Sequence, residues 1–374
     1  MKKSYFLMAA AATMFAACSQ SDVLNEVQVQ DEAQAIGFST YSNKATRAEN
    51  NSADYNWNLE DHHESFDVFA GKKVGDVTKA VYTNTARGKV TYGTAWTASP
   101  LKYWDKAAAE YYFYAGAPSD AKWQFAMTEA DNYAKGYLKY EYFTLTGVNL
   151  ADGTATEHNS WEGKADIDLM IAAPKTVDRA FYNVASSATP NPVELQFNHI
   201  LSRLNIKVKK GTNIAAGHDL ELVSLTVYGL NNKGSFDENL AVADGNAKID
   251  RWKDQSVNGT YVLEAAVPTT PITTAVYTHE YLIIPQAVAA KTIDVNGTTA
   301  DMSDSPYFKI VYTIAGEEYV AYYNLAAAFS AATSFNFGEG WQNTLTVTIN
   351  PNAIVFDATA SEWSTALDRE HFVK

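Results

Sequence analysis

Short apolar runs separated by turn residues make up most of the chain, and this pattern is typical of β-strands. Helical signal is weak, because Ala326–Ala332 holds good helix formers but is long enough for only a turn or two. Many short strands with glycine and proline turns predict β-sandwiches rather than a parallel α/β sheet. The predicted strands are Phe66–Ala70, Glu110–Ala115, Ile167–Ala172, Leu204–Val208, Leu220–Leu230, Tyr261–Ala266, Tyr281–Ile284, Leu345–Ile349 and Ile354–Phe356.

One stretch has the full signature of a β-hairpin. Phe308–Ile314 and Glu318–Leu325 are both strand-like, and Gly316 in the turn between them can adopt a positive φ. Asn-Gly pairs that begin at Asn258 and Asn296 predict two further hairpin turns.

The chain begins with the pattern of a lipoprotein signal peptide. Lys2 and Lys3 precede an apolar run that is too short to span a bilayer, so residues 1–17 are predicted to be removed on export. Cys18 is the only cysteine in the sequence and therefore has no disulfide partner. We predict that it becomes the acylated first residue and anchors the protein to a bacterial membrane. An ordinary signal peptide with a chance cysteine is the alternative.

Polar segments flank one strand-like stretch near the N-terminus. Residues 18–34 are rich in acids and amides and are predicted to form a flexible tether. Ile36 and Phe38 lie two positions apart, so they point to the same face of a strand. The polar loop that follows contains Arg47, and proteolytic nicking concentrates in exposed loops of small polar residues. We therefore predict that a trypsin-like protease cuts between Arg47 and Ala48.

Chain length and two prolines predict two domains. About 350 residues remain after the leader, which is more than one typical domain. Pro190 and Pro192 lie in a polar stretch and mark the predicted boundary. The expected division is an N-terminal β-sandwich over residues 35–192 and a C-terminal β-sandwich over residues 193–374.

The composition excludes some classes of partner. The formal net charge is -14, whereas a nucleic-acid partner requires clustered lysine and arginine. Apolar residues make up 47% of the chain, which is enough for sizeable cores. After Cys18, no apolar run is long enough to cross a membrane.

The sequence shows little sign of catalysis or of a metal site. His62 and His63 are adjacent, so on an extended chain they point to opposite faces and do not suit one metal ion. Asp166 and Asp168 lie two apart on a predicted strand and are interpreted as part of a solvated strand face. His199 is interpreted as a packed or capping residue. Motifs for a nucleophile, a bound phosphate or a metal are not found. We expect no enzyme activity, no cofactor and no metal.

Several segments resemble the fimbrillin family of Bacteroidetes. The most specific are Phe197–Val208 (FNHILSRLNIKV) and Leu282–Gln286 (LIIPQ). Further similar segments, in the same order and over nearly the whole mature chain, are Tyr103–Asp105, Tyr111–Pro118, Asp168–Ala172 and the ending from Gly340 to Trp363.

This resemblance implies two tandem transthyretin-like β-sandwich domains, export as a lipoprotein, and assembly into fimbriae on the outer membrane. The partners it implies are other fimbrial subunits, with a host or bacterial surface ligand as a further possibility. Cys18 and Arg47 stand where the family carries its lipid and its maturation cleavage. The chain end Ser364–Lys374 is charged and alternates poorly, so stalk, tip and accessory positions in a fimbria all stay open.

A physical mechanism for assembly follows from this layout. If Ile36 and Phe38 complete the first sandwich, cleavage after Arg47 frees their strand and leaves an apolar groove with unpaired backbone groups. A strand of a neighbouring subunit can fill that groove. Such a head-to-tail contact does not close on itself, so it propagates into a fibre.

Two other classes of function stay open at this stage. A surface glycan-binding lipoprotein would also be exported, acidic and rich in aromatics, and its sugar-stacking rings would come from Trp57, Trp96, Trp123 and Trp161. A secreted glycosidase has the least support, because no pair of carboxylates stands out.

Overall fold

A computed structural model of the protein describes residues 34–42, 65–145, 168–183, 190–242, 247–256, 262–264, 270–273, 276–290, 306–329, 333–351 and 354–362. Regular structure in these ranges is almost entirely β-strand, which confirms the predicted all-β class. The α-helices described are single turns, α1 at Arg179–Tyr182 and α2 at Leu325–Ala328. The second of them overlaps the run Ala326–Ala332, which the sequence predicted to form no more than a turn or two.

The first half of the chain is built around one large, curled sheet. The strands described in this half of the chain are β1 (Phe38–Ser42), β2 (Ser65–Val74), β3 (Val77–Tyr82), β4 (Gly88–Tyr92), β5 (Trp96–Ser99), β6 (Glu110–Ala117), β7 (Trp123–Met127), β8 (Gly136–Thr144), β9 (Met170–Ala172), β10 (Lys175–Asp178) and β11 (Val193–His199). Nine of these described strands form one sheet in the order β1-β11-β9-β6-β2-β4-β5, with β10 beside β6 and β3 beside β2. The sheet curls over its own core, since the rings of Phe66 and Phe197, on strands that are not neighbours, lie 5.2 Å apart.

The second half forms a β-sandwich. Its strands are β12 (Ser202–Lys210), β13 (Leu220–Tyr228), β14 (Lys233–Asp237), β15 (Trp252–Ser256), β16 (Val262–Glu264), β17 (Tyr277–Ile283), β18 (Gln286–Ala289), β19 (Tyr307–Ile314), β20 (Glu317–Asn324), β21 (Ser334–Phe337), β22 (Trp341–Ile349) and β23 (Ile354–Glu362). The sheets β17-β12-β22-β23 and β16-β13-β19-β20 share one apolar core, and β18 pairs with β21. Leu204, Ile206 and Val208 on one face of β12 are fully buried in this core, and Arg203 and Asn205 on its other face are buried as well.

A further sheet, in the order β15-β14-β8-β7, takes strands from both halves. In it, β8 pairs antiparallel with β14, and the amide of Leu138 in β8 also donates to the carboxylate of Glu238 (2.9 Å), directly after β14. The division at residue 192 stays a prediction, and this sheet includes strands from both sides of it.

The predicted hairpin is confirmed in β19 and β20, which pair from Tyr307–Asn324 to Ile314–Glu317. Two consecutive turn residues adopt positive φ, Ala315 at 54° and Gly316 at 87°. This is the backbone of a two-residue turn whose twist matches the strands it joins. Glycine adopts this conformation readily, but alanine does not.

We expect Ala315→Asn to stabilise the protein by about 0.5–1 kcal/mol, because asparagine tolerates the left-handed region better than alanine. Urea denaturation of the two proteins measures the difference. Ala287→Asn, at an exposed position inside β18, is the matched control and should give no gain. Equal gains from both variants would show that the turn conformation is not the cause.

A buried carboxyl group lies in the turn between β21 and β22. The amide of Glu339 donates to the carbonyl of Ala247 (2.7 Å), and Nη1 of Arg251 donates to its Oε1 (3.2 Å). Burial outweighs the attraction of Arg251 and raises the pKa of Glu339 from its ordinary 4.5 to about 7. The native protein therefore holds a proton here that the unfolded chain releases between pH 4.5 and 7.

Because this pKa is raised in the native state, its contribution to stability is present at pH 4.5 and is lost as the pH rises through 7. We expect Glu339→Gln to remove this loss, so that relative to the parent it gains up to about 3 kcal/mol between pH 4.5 and pH 8. Urea denaturation at both pH values measures the difference. Glu317→Gln, at an exposed position, is the control, and its free energy of unfolding should differ little from that of the parent at both pH values.

Candidate subunit interface

The segment Gln34–Ser42 lies at one edge of the nine-stranded sheet. Its strand β1 runs parallel to β11, with Phe38 opposite Val193 and Ser42 opposite Phe197. The amide of Val193 also donates to the carbonyl of Gly37 (2.8 Å). Because β1 is the last strand in the described order of this sheet, it can leave without separating any other strand pair.

The same segment also bonds to backbone near the opposite edge of that sheet. The amide of Ile36 donates to the carbonyl of Lys102 (2.9 Å), and the amide of Trp104 donates to the carbonyl of Gln34 (2.9 Å). Lys102 and Trp104 follow β5, the last strand on that side. Loss of the segment would therefore expose backbone donors and acceptors at both ends of one sheet.

Ile36 and Phe38 are buried in the core of the first half, with 2% and 5% of their surfaces exposed. The ring of Phe38 packs edge-to-face on Phe66 (6.4 Å between centroids) and on Phe113 (5.9 Å). Gly37, between them, is only half-buried. The two side chains thus lie on one buried face, where their spacing predicted them, and their role in a leaving strand remains a proposal.

The core beneath this segment is aromatic and uncharged. Trp104 stacks on Tyr182, with 4.6 Å between ring centroids. Burial raises the pKa of Tyr82 and of Tyr111 to about 12, so both phenols stay neutral at physiological pH. A strand that occupies this place must therefore supply apolar side chains, because a buried charge would find no countercharge in this aromatic lining.

Several residues singled out from the sequence lie outside the described ranges. These are the lipidation site Cys18, the cleavage pair Arg47 and Ala48, the histidines His62 and His63, and the tryptophans Trp57 and Trp161. Their roles stay predictions from the sequence.

Two of the four tryptophans considered for sugar binding are buried. Trp96 has 9% of its surface exposed and Trp123 has none. The indole nitrogen of Trp123 donates to the carbonyl of Pro118 (2.9 Å), which satisfies its polar atom inside the protein. The interpretation of these two rings as a sugar-stacking surface is therefore wrong, because both are core residues.

Asp168 is fully buried, so its interpretation as part of a solvated strand face is wrong. Its carboxylate lies 2.5 Å from Nδ1 of His199, which is also buried, as expected for a packed histidine. The amide of Ile200 donates to the carbonyl of Leu169 (3.0 Å), which continues the antiparallel pairing of β11 and β9 past His199 and Met170.

Within the described ranges, no three or more His, Cys, Asp or Glu side chains are grouped so as to hold a metal ion. The helices in those ranges are likewise too short or too polar to cross a membrane.

Sequence reasoning identified the two inward side chains of the segment but not its partner strands. A local signal for β11 was present, since Val193, Leu195 and Phe197 are buried while Glu194 and Asn198 are exposed. This is the alternation of a half-buried strand. Which strand it pairs with depends on contacts far apart in the chain and leaves no mark in the local pattern.

Comparison with solved structures finds a number of similar proteins, and three of them show the extent of the similarity. A candidate cell adhesion protein from Bacteroides uniformis is 17% identical, with a TM-score of 0.46, and the match covers 90% of this chain and 99% of that one. A fimbrial protein from Bacteroides vulgatus is 16% identical, with a TM-score of 0.46 and coverage of 88% and 100%. The tip fimbrial protein Mfa3 from Porphyromonas gingivalis, truncated at its C-terminus, is 10% identical, with a TM-score of 0.40 and coverage of 82% and 96%.

No curated protein matches the sequence significantly. The sequence model of one protein family, described as fimbrillin-like, matches residues 46–363, which is most of the chain. The segments that resembled fimbrillins all lie within that match. This chain therefore belongs to the fimbrillin-like family.

Proposed function

We propose that the protein is a structural subunit of a surface fimbria that supports adhesion, without enzyme activity of its own. Membership of the fimbrillin-like family supports this role. The observation that carries the assembly mechanism is the edge segment Gln34–Ser42, which bonds to both ends of one sheet and buries Ile36 and Phe38. In this proposal the segment is the strand that leaves.

Cleavage between Arg47 and Ala48 would separate this strand from the rest of the chain. The vacated groove would expose the aromatic surface around Phe66 and Phe113 together with the free edge of β11. A strand of another subunit that brings two apolar side chains would cover both, since strand addition supplies main-chain hydrogen bonds and side-chain pockets at once. The contact is head-to-tail, so repeated addition builds a fibre.

The proposed precursor is a lipoprotein. Acyl chains on Cys18 would hold it in the outer membrane until cleavage, and removal of residues 18–47 would release both the lipid and the leaving strand. The two-domain division at residue 192 belongs to this proposal as well, with the groove in the N-terminal domain.

N-terminal sequencing of the protein from purified surface fibres tests the proposal. Assembled subunits should begin at Ala48, because the cut precedes assembly. Subunits that begin at Cys18 with a blocked, acylated terminus would contradict the cleavage step. Absence of the protein from the fibres altogether would contradict the fimbrial role itself.

A further inference from the structure

Tyr142 is the most exposed large apolar side chain in the described part of the protein, with 65% of its surface exposed. It lies in β8, where Glu141 and Tyr142 together oppose the single residue Ser235 of β14. Two residues opposite one form a β-bulge, which turns side chains away from their regular direction and is common beside functional sites. This bulge directs a tyrosine ring into solvent.

The backbone of Tyr142 is in the left-handed region, with φ at 56°. Residues with a Cβ rarely adopt this conformation, and those that do concentrate at functional sites. The protein holds it in place with two hydrogen bonds: the amide donates to Oγ of Ser235 (3.3 Å), and Nζ of Lys122 donates to the carbonyl (3.4 Å). Because the ring is mostly exposed, burial does not account for a tyrosine here.

One lysine lies beside this ring, and three others lie on or next to strands of the same sheet. Nζ of Lys233 lies 5.9 Å from the centroid of the Tyr142 ring. Lys139 and Lys253 both contact Oδ2 of Asp237, at 3.0 Å and 3.5 Å, so their ammonium groups converge on one point of the sheet. We call Tyr142, Lys122, Lys139, Lys233 and Lys253 the Tyr142 face.

Two lysines of this face form no ion pair among the described residues. Its four lysines face four acids: Asp237, which pairs with Lys139 and Lys253, Asp120, which accepts from the amide of Lys122, and the exposed Glu141 and Asp254. The chain as a whole has a net charge of -14. On so acidic a protein, the ammonium groups of Lys122 and Lys233 are the ones available to attract an anion.

We propose that the Tyr142 face binds an anionic polysaccharide whose sugars carry carboxylate or sulfate groups. The exposed ring offers a flat apolar surface for stacking on a sugar ring. Lys233 beside it supplies hydrogen-bond donors and a countercharge for an acidic group. Exposed Thr144 and Ser256, which pair with Lys233 across the strands, add polar contacts suited to sugar hydroxyls. A single ring among polar groups fits a sugar better than the apolar side chains of a protein partner.

Binding of polygalacturonate and of dextran sulfate to the full-length protein in detergent tests this proposal, with neutral dextran as the comparison. Calorimetric titration should show that at least one acidic polymer binds, more weakly at raised salt, and that dextran does not. Tyr142→Gly should weaken this binding about tenfold or more, while its Tm stays equal to or above that of the parent, because glycine adopts the positive φ readily. Lys233→Gln should also weaken binding.

Tyr319→Ala removes another exposed tyrosine, from β20, and should leave binding unchanged. Unchanged binding by Tyr142→Gly would overturn the proposal, as would failure of the parent to bind either acidic polymer. Polyglutamate provides the last check. If it binds as tightly as the polysaccharides and Tyr142→Gly has no effect on it, the face recognises acidic protein and the saccharide proposal is wrong.

Discussion

Cells that produce the Arg47→Ala variant are expected to lose the ladder of polymers that surface extracts of the parent strain give on an unboiled gel. Without the cut, the segment Gln34–Ser42 stays paired with β11 and keeps Ile36 and Phe38 in the core. The groove is then occupied and cannot accept a strand from a neighbour. A folded, lipidated monomer should remain on the cell.

Lys44→Ala is the matched control, because it removes another basic side chain from the same loop. Its polymer ladder should equal that of the parent. A ladder undiminished in the Arg47→Ala strain would disprove the cleavage mechanism and leave the family assignment intact. Loss of the ladder in both strains would indicate that the charge of the loop, rather than the cut, controls assembly.

Phe38→Ala is expected to destabilise the uncleaved protein by about 3–5 kcal/mol, the usual effect of removing a fully packed phenylalanine. The ring is 5% exposed and contacts Phe66 and Phe113, so its loss leaves a cavity lined by aromatic rings. Urea denaturation of the precursor, purified in the Arg47→Ala background to prevent cleavage, measures the change.

Ser39→Ala is the control, because it shortens the side chain of the next residue in the same strand. Ser39 is half-buried and lies on the other face, so we expect a change of less than about 0.5 kcal/mol. If both variants lose equally little, the segment is not firmly seated in the core. The leaving-strand mechanism would then lack its energetic basis, because a groove that the segment occupies only weakly could accept another strand without cleavage.

Local patterns in the sequence predicted about half of the described strands. Leu204, Ile206 and Val208 alternate with less apolar residues, and this alternation is visible without any structure. A turn of three residues, Ala315, Gly316 and Glu317, was predicted for the same reason, since a short loop between strands is a local feature. The structure shortens it by one residue, because β20 begins at Glu317. The burial of Ile36 and Phe38 also followed from spacing alone.

Pairing between distant strands was not predictable in this way. The Asn-Gly pair at Asn258 predicted a hairpin, yet the flanking strands β15 and β16 lie in different sheets. Asp168 was interpreted as solvated because nothing in its neighbouring residues predicts the contact with His199 at the end of β11. The bulge at Tyr142 depends on the register between β8 and β14 and has no signature in either strand.

The sheet that joins β8 to β14 restricts the order in which this chain can fold. Leu138 and Glu238, which are hydrogen-bonded to each other, lie 100 residues apart, so β8 finds this partner only after about 100 further residues are available. Contacts this distant in sequence slow folding and prolong the time during which unpaired strands are exposed. The first half of the chain is therefore complete only after β14 has paired with β8. A fragment that ends at residue 192 would present the bare edge of β8 and would be expected to aggregate.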